Sequence, residues 1–293
     1  MRLTFLGTSA ANAYPEAFCR CDNCAQASAL GGPSLRRRSA ALVDDQLLID
    51  LGPDLHTAAH AHGISLAAVR FCLQTHAHAD HLDASQLLSR SPEYGVVGAP
   101  RLALFASRAT LERLAEQLAR DCAPRTLFDP AAQEQLNLTL HPVEPLTPFA
   151  VGPYRVVAFP AIHDPNVEPL LYAIQRDGRC LFYGTDTAAL PEPVWAAFHA
   201  HQLRFDTVVL DHTYGPGRSG PAHMSAADVA ATATRLRAEG LLRPGGRVFA
   251  THISHDANPT HPELARHAAA QGYEVAYDGL MVDVYAPGAV ASA

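Results

Sequence analysis

The sequence predicts an α/β (α+β) fold in which two mixed β-sheets are sandwiched between helices. Short strand-like apolar runs mix with helix-like segments along the 293 residues, which points to layered sheets and helices. Several metal-binding side chains fall just past strand ends, where loops can converge on one site. No repeat and no long linker divides the chain, so residues 1–293 are expected to form one domain.

The elements follow in order. Apolar patterns predict strands at Leu3–Leu6, Ala40–Val43, Gln46–Ile49 and Val69–Gln74, with helices near Asp54–His62 and Ala84–Leu88. From Ala103 to Ala123 the apolar spacing, with Glu116 four residues before Arg120, predicts a helix. The polar, Pro-punctuated stretch that follows, up to Pro148, is expected to be an insertion or substrate-facing loop, and the wider region 84–148 to hold the insertion. Strands resume at Tyr154–Phe159, Leu170–Gln175, Arg179–Gly184 and Thr207–Leu210, with a helix at Glu192–His201. Ser225 and Asp228 form a short capping-box pattern for a helix that runs to Gly240. A strand (Arg247–Ile253), a helix (Pro262–Gln271), a strand (Met281–Tyr285) and a frayed tail from Pro287 complete the pattern.

Composition narrows the function. A hydrophobic fraction of 48% supports a sizeable core. No apolar run approaches the roughly 20 residues of a membrane span, and the chain opens on a strand pattern instead of a signal segment. A cytoplasmic protein with no membrane partner is expected. The net charge of -7 disfavours non-specific nucleic-acid binding. Of six cysteines, three fall in Cys19-Arg-Cys21-Asp-Asn-Cys24, a poor disulfide framework but a reasonable metal clip in a reducing compartment.

The richest stretch is Thr75-His-Ala-His-Ala-Asp-His-Leu82, directly after a strand-like run. Residues two apart project to the same side of an extended segment, so His76 and His78 can grip one cation while Asp80 and His81 turn towards a second. Imidazole and carboxylate suit divalent zinc, manganese or iron. The cluster is incomplete alone, because each ion needs about four to six ligands. His163, Asp186 and His252 each follow a strand and supply the rest. The expected sets are His76, His78 and His163 on the first ion and Asp80, His81 and His252 on the second, with Asp186 bridging. By contrast, His56, His60, His62, His199, His201 and His267 read as ordinary surface or core histidines. Asp50, at a strand end, is placed to orient a ligand histidine from behind.

Together with Phe5-Leu-Gly-Thr-Ser, Gly184-Thr-Asp186 and Thr251-His-Ile-Ser-His255, the pattern resembles the metallo-β-lactamase fold superfamily over nearly the whole chain. Within it, the Cys-x-Cys-x-x-Cys clip and the C-terminal Thr-His-Ile-Ser-His make it similar to the PhnP-type phosphodiesterases of the carbon–phosphorus lyase pathway. That resemblance implies an αββα sandwich, a dinuclear site with these ligands, a homodimer, and a structural zinc on Cys19, Cys21, Cys24 and His255. Three thiolates and one imidazole also make the closed tetrahedral set of a structural site. The resemblance gives His223, in Gly220-Pro-Ala-His-Met-Ser, the role of proton donor or phosphate-oxygen stabiliser, and Asp80 is counted with it as catalytic. Arg218, in Gly215-Pro-Gly-Arg-Ser-Gly, is a candidate for binding substrate phosphate.

The reaction implied is hydrolysis of a small cyclic phosphodiester, such as a ribosyl 1,2-cyclic phosphate, to a phosphomonoester. Attack by a hydroxide bridging the two ions is expected, with His223 protonating the leaving group. Three alternatives share the metal site. They are a lactonase or thioesterase, a transfer-RNA 3′-processing endonuclease, which would need a basic RNA-gripping extension, and a protein akin to the pyrroloquinoline-quinone B protein, which also carries the cysteine clip. The region 84–148 departs from the PhnP-type pattern in length, which leaves leaving-group specificity open.

Overall fold

A computed structural model describes residues 1–284. In chain order it contains β1 (Arg2–Gly7), α1 (Asp22–Leu30), β2 (Ala40–Val43), β3 (Leu47–Ile49), α2 (Leu55–His62), β4 (Phe71–Leu73), α3 (Ser85–Leu88) and β5 (Leu102–Ala106). There follow α4 (Arg108–Gln117), α5 (Ala119–Cys122), α6 (Pro130–Gln135), β6 (Leu138–Pro142), β7 (Pro148–Val151), β8 (Tyr154–Pro160), β9 (Leu170–Arg176) and β10 (Arg179–Gly184). The last part comprises α7 (Glu192–Ala200), β11 (Phe205–Asp211), α8 (Ala226–Ala238), β12 (Leu242–Thr251), α9 (His261–Ala270), β13 (Glu274–Val275) and β14 (Met281–Asp283). Among the described residues no helix is long and apolar enough to cross a membrane.

The strands form two seven-stranded mixed sheets, ordered β14-β1-β2-β3-β4-β5-β6 and β13-β12-β11-β10-β9-β8-β7. The first is parallel from β3 to β6 and the second from β10 to β13. Leu3, Phe5, Val156, Tyr172 and Phe249 belong to the core cluster between the sheets. Leu55, Leu111 and Leu114 from the helices pack with Leu48 and Leu104 of the first sheet. Trp195, Phe198, Leu236 and Leu264 pack with Phe182 and Val208 of the second. The layers therefore run helix, sheet, sheet, helix, as expected of an αββα sandwich.

Several segments differ from the sequence reading. Ala103–Ala123 is not one helix: β5 occupies its start and pairs with β4 and β6, while α4 and α5 follow. Glu116 pairs with Arg113, three residues earlier, at 2.6 Å. The alternating run Leu102-Ala-Leu-Phe-Ala is apolar on both faces because the strand is covered on both, which hides a strand's period. The supposed loop Ala123–Pro148 holds α6, β6 and the start of β7, so β5 and β6 of the 84–148 region extend the first sheet. Helix α1, after Cys21, was missed altogether. The capping box of α8 is present, with Ser225 and Asp228 reciprocally bonded. Tyr285 and the tail from Pro287 lie outside the described residues.

Candidate metal centre

Every candidate ligand of the His/Asp cluster lies past the carboxyl end of a strand, and β4 and β12 among these strands run parallel to both neighbours, the edge at which α/β sheets gather their ligands. The loop after β4 carries His76, His78, Asp80 and His81. His163 follows β8, Asp186 follows β10, and His252 directly follows β12. Asp50, Asp186 and His252 all sit in left-handed backbone, at φ 68°, 53° and 59°. Non-glycine residues adopt this region at a cost, and such strain collects at functional sites.

The side chains fall into two adjoining groups. His76, His78 and His163 have nitrogens within 4.8 Å of one another, as do the ligating atoms of Asp80, His81, Asp186 and His252. Asp186 connects them: its Oδ2 lies 2.6 Å from His81 Nε2 and 3.1 Å from His252 Nε2, and its Oδ1 3.9 Å from His163 Nε2.

Whether the residues fit metal ions is decided by what each ring does with its two nitrogens. His81 Nδ1 lies 2.7 Å from Asp50 Oδ2, His252 Nδ1 2.8 Å from Thr213 Oγ1, and His76 Nδ1 3.0 Å from Thr75 Oγ1. His163 Nδ1 faces the Ala222 carbonyl at 3.3 Å, and His78 Nε2 faces Asp164 Oδ2 at 3.3 Å. One nitrogen of each of the five rings is thus held by an oxygen, which fixes the tautomer and turns the other nitrogen into the cluster. There, His76 Nε2 is buried and makes no hydrogen bond. Buried polar atoms without partners are rare, and one aimed into a knot of imidazoles and carboxylates matches a site shaped for cations.

The electrostatics agree. Burial opposes charge on Asp80 and Asp186, yet His81 and His252 hold both carboxyls below the usual range. Burial likewise opposes a charged His81, but Asp80, Asp186 and Asp50 raise it well above an ordinary histidine. For His252, Asp186 outweighs burial and carries the value up to about 10. Burial keeps His76 and His163 low, in the neutral form that a metal takes. Buried carboxylates at this density require positive charge, and divalent cations supply it without leaving an imidazole proton between ligands.

Behind the cluster stand residues the sequence reading did not single out. The Thr75 and Thr213 hydroxyls each donate to a buried carboxylate, Asp50 and Asp211, at 2.9 Å, and so can accept from the histidine beside them. Asp50 also accepts from the Thr75 and Gln74 side, which supports the orienting role expected of it. Asp211 ends β11, fully buried, with Oδ2 2.9 Å from His223 Nδ1. It lies with His223, Asp186 and His252 in one cluster. The Asp211-His-Thr213 step at a strand end was its only signal in the sequence.

An open cleft of about 830 Å3 gives access, lined by His78, Asp80, His163, Asp186 and His223, with Asn12 and Asp256 towards its rim. Arg218 is not among its lining residues. The guanidinium pairs with Asp256 at 2.6 Å and lies over the Tyr214 ring, with its centre 5.4 Å away.

Cys19, Cys21, Cys24 and His255 form a separate group beside the cleft, again within 4.8 Å. Cys21 Sγ is 3.6 Å from His255 Nδ1. Backbone N–H groups of Cys21, Cys24 and Glu16 each point at a cysteine sulfur at 3.4 Å, the donors a thiolate cluster needs. The Cys24 N–H, then His255, bring the Cys21 thiol down to about 6, while burial pushes Cys24 up to about 12. Asn23 Nδ2 donates to the carbonyls of His255 and Asn258, so the clip fastens the start of α1 to the loop after His252.

Comparison with known proteins is consistent with this geometry. Coenzyme PQQ synthesis protein B of Cupriavidus necator is 26% identical over 323 aligned positions, spanning 94% of this chain and 97% of that protein. A diphosphatase of the PhnP family superposes with a TM-score of 0.71 at 25% identity, over 96% of this chain and 97% of that one. Zinc-bound PqqB from Methylobacterium extorquens gives 0.68 at 19% identity, over 97% and 100%. The model of the Beta-lactamase superfamily domain matches residues 45–276, and the chain belongs to that family, with the metallo-β-lactamase fold its sequence resembles.

Proposed function

We propose that this metallo-β-lactamase-fold hydrolase is a dinuclear phosphodiesterase that opens a small cyclic phosphodiester to a phosphomonoester. The observation that carries the reading is the pairing of two ligand clusters across Asp186 with a carboxylate–histidine pair, Asp211 and His223, on the same cleft. His76, His78 and His163 would hold one ion and Asp80, His81 and His252 the other, with Asp186 between them. When bound, two divalent ions supply Lewis acidity and an acidified water at neutral pH.

The protein's own groups do the rest. Asp211 and Thr213 engage His223 Nδ1, at 2.9 Å and 3.2 Å, which leaves Nε2 as the nitrogen able to pass a proton to a leaving alkoxide. Thr75, Asp50 and Thr213 keep the ligand rings from rotating, so the site is organised before substrate arrives. The cleft has the size of a small-molecule site. A structural zinc on Cys19, Cys21, Cys24 and His255 belongs to the same proposal, and a homodimer rests on the resemblance alone. The second reading, a role akin to the PqqB proteins, is favoured by the full-length likeness to the Cupriavidus protein.

One assay separates the readings. The metal-loaded protein is offered bis(p-nitrophenyl) phosphate, a 2′,3′-cyclic nucleotide, a lactone, a thioester and a precursor transfer RNA, with metals counted per chain. We expect about three metals, as the two clusters and the clip require, and turnover of the two small phosphodiesters. Turnover of the lactone or thioester alone would overturn the phosphodiesterase reading, and turnover of none would favour the PqqB-like one.

A further inference from the structure

A second cavity lies away from the metal cluster, on the outer face of the first sheet beneath the segment joining α3 to β5. It is partly open, has a volume of about 170 Å3 and is lined mainly by apolar side chains, among them Leu48, Leu55, Leu66, Val69 and Leu102. One strong cation interrupts this lining. Arg90 donates from Nη2 to the Pro100 carbonyl at 2.6 Å, while its Nη1 is buried with no hydrogen-bond partner. Among the described residues no carboxylate lies within ion-pair distance of Arg90. Burial also weighs against its charge, lowering its pKa. A guanidinium nitrogen shielded from water and left without a partner is a costly feature to keep beside an apolar pocket. Neither the cleft nor the cysteine clip uses it.

We propose that this cavity binds a single-chain amphiphile with a carboxylate head, the head meeting the Arg90 guanidinium and the chain lying along the leucines. Charge complementarity selects the occupant: one unfilled cationic donor calls for one negative charge, and the rest of the lining calls for hydrocarbon. Gln86, also in the lining, adds an amide beside the head. The site is independent of the reaction proposed for the metal cleft, because its evidence is the cavity and Arg90 alone.

The probe is sodium decanoate, titrated calorimetrically into the metal-loaded full chain below its micelle-forming concentration. Saturable binding of one decanoate per chain is expected, weakened at least about tenfold in Arg90→Met, the loss of roughly one charge-assisted contact. Decanol, with the same chain and no charge, should bind the wild type correspondingly more weakly. Leu66→Trp, which fills the cavity and leaves Arg90 in place, should abolish binding, so the test survives if Arg90→Met misfolds. Absence of saturable binding, equal affinity for decanol, or unchanged affinity in Leu66→Trp would each overturn the proposal. Decanoate binding that disappears as the chain self-associates would assign the cavity to a second copy and overturn it as well.

Discussion

At the scale of the residue, the chemistry depends on which nitrogen of each ring is left free, and His223 is the most informative case. Its Nδ1 is engaged by Asp211 and Thr213, and its ring stacks on His252 at a centroid separation of 5.5 Å. His223 lies outside both proposed ligand sets, so all seven ligands remain when its imidazole is removed. His223→Ala is therefore expected to keep its metal content and to lower kcat for an alkyl phosphodiester about 10²–10⁴-fold, the range of general acid catalysis. The loss should be much smaller with a p-nitrophenyl ester, whose leaving group needs no proton. Comparing the two substrates checks the role, since equal losses on both would make His223 a positioning group instead. The seven residues that the fold gathers into the cluster were legible because each is a His or Asp past a strand end. Thr75, Thr213 and Asp211 were not: a threonine or aspartate beside a strand is an ordinary residue until the fold sets it against a ring. That Asp256 engages the Arg218 guanidinium was likewise not legible, since a glycine-rich loop does not disclose its distant partner.

At the scale of the element, loops that carry ligands are set by close backbone approaches. Gly52, just past β3, would direct a Cβ to 2.7 Å from the Asp80 carbonyl oxygen. Backbone cannot give way as a side-chain tip can, so Gly52→Ala should displace the loop that carries Asp80 and His81. A shift near 1 Å costs on the order of 10²-fold in rate, with a stability cost of about 1–3 kcal/mol from overpacking. Steady-state kinetics and a thermal melt on the same sample check both, and an unchanged kcat would refute the link. The clip is the other such element. Cys21 caps α1, its sulfur accepting from the Cys24 N–H, and that donor and His255 lower the thiol from 9.0 to about 6. The depressed value means that the thiolate persists above about pH 6, whereas an ordinary cysteine must approach pH 9. In zinc-stripped protein at pH 7, iodoacetamide should therefore label Cys21 ahead of Cys24, with labelling slowing as the pH falls through about 6. Mass spectrometry of the labelled peptides checks the order, and restored zinc should suppress it. Helix α1 itself escaped the sequence reading because its start is a metal-clip motif with weak amphipathic pattern. β5 escaped because a strand covered on both sides carries no alternation, and β6, a short half-buried edge strand, lay within a stretch read as loop.

At the scale of the whole molecule, each sheet supplies half of the candidate centre. The first sheet contributes His76, His78, Asp80 and His81, and the second His163, Asp186 and His252. The sandwich was legible in the sequence because ligand positions and strand ends coincide along the whole chain; the pairing order was not, because it is set by contacts far apart in sequence. Since ligands from both sheets converge, ions held there act as a clamp between the sheets, in addition to the core of Phe5, Tyr172 and Phe249. Without the cations, buried Asp80 and Asp186 must be balanced by protons on His81 and His252, a poorer arrangement in a desolvated site. Binding to the folded state alone stabilises by RT ln(1 + [L]/Kd), about 2.7 kcal/mol at a hundredfold excess over Kd. For a domain of this size that corresponds to roughly 5–10 °C in Tm per such ion. Chelation should therefore lower Tm by at least that much, and adding back zinc or manganese should restore it in a concentration-dependent manner. Cys21→Ser should remove only the part of the shift owed to the clip, while Asp186→Ala should remove most of the rest and keep the clip's zinc. Differential scanning calorimetry with metal analysis on each variant distinguishes the two contributions. If the cleft ions were stripped with no change in Tm, the sheets would be aligned by the hydrophobic core alone and the clamp would be refuted.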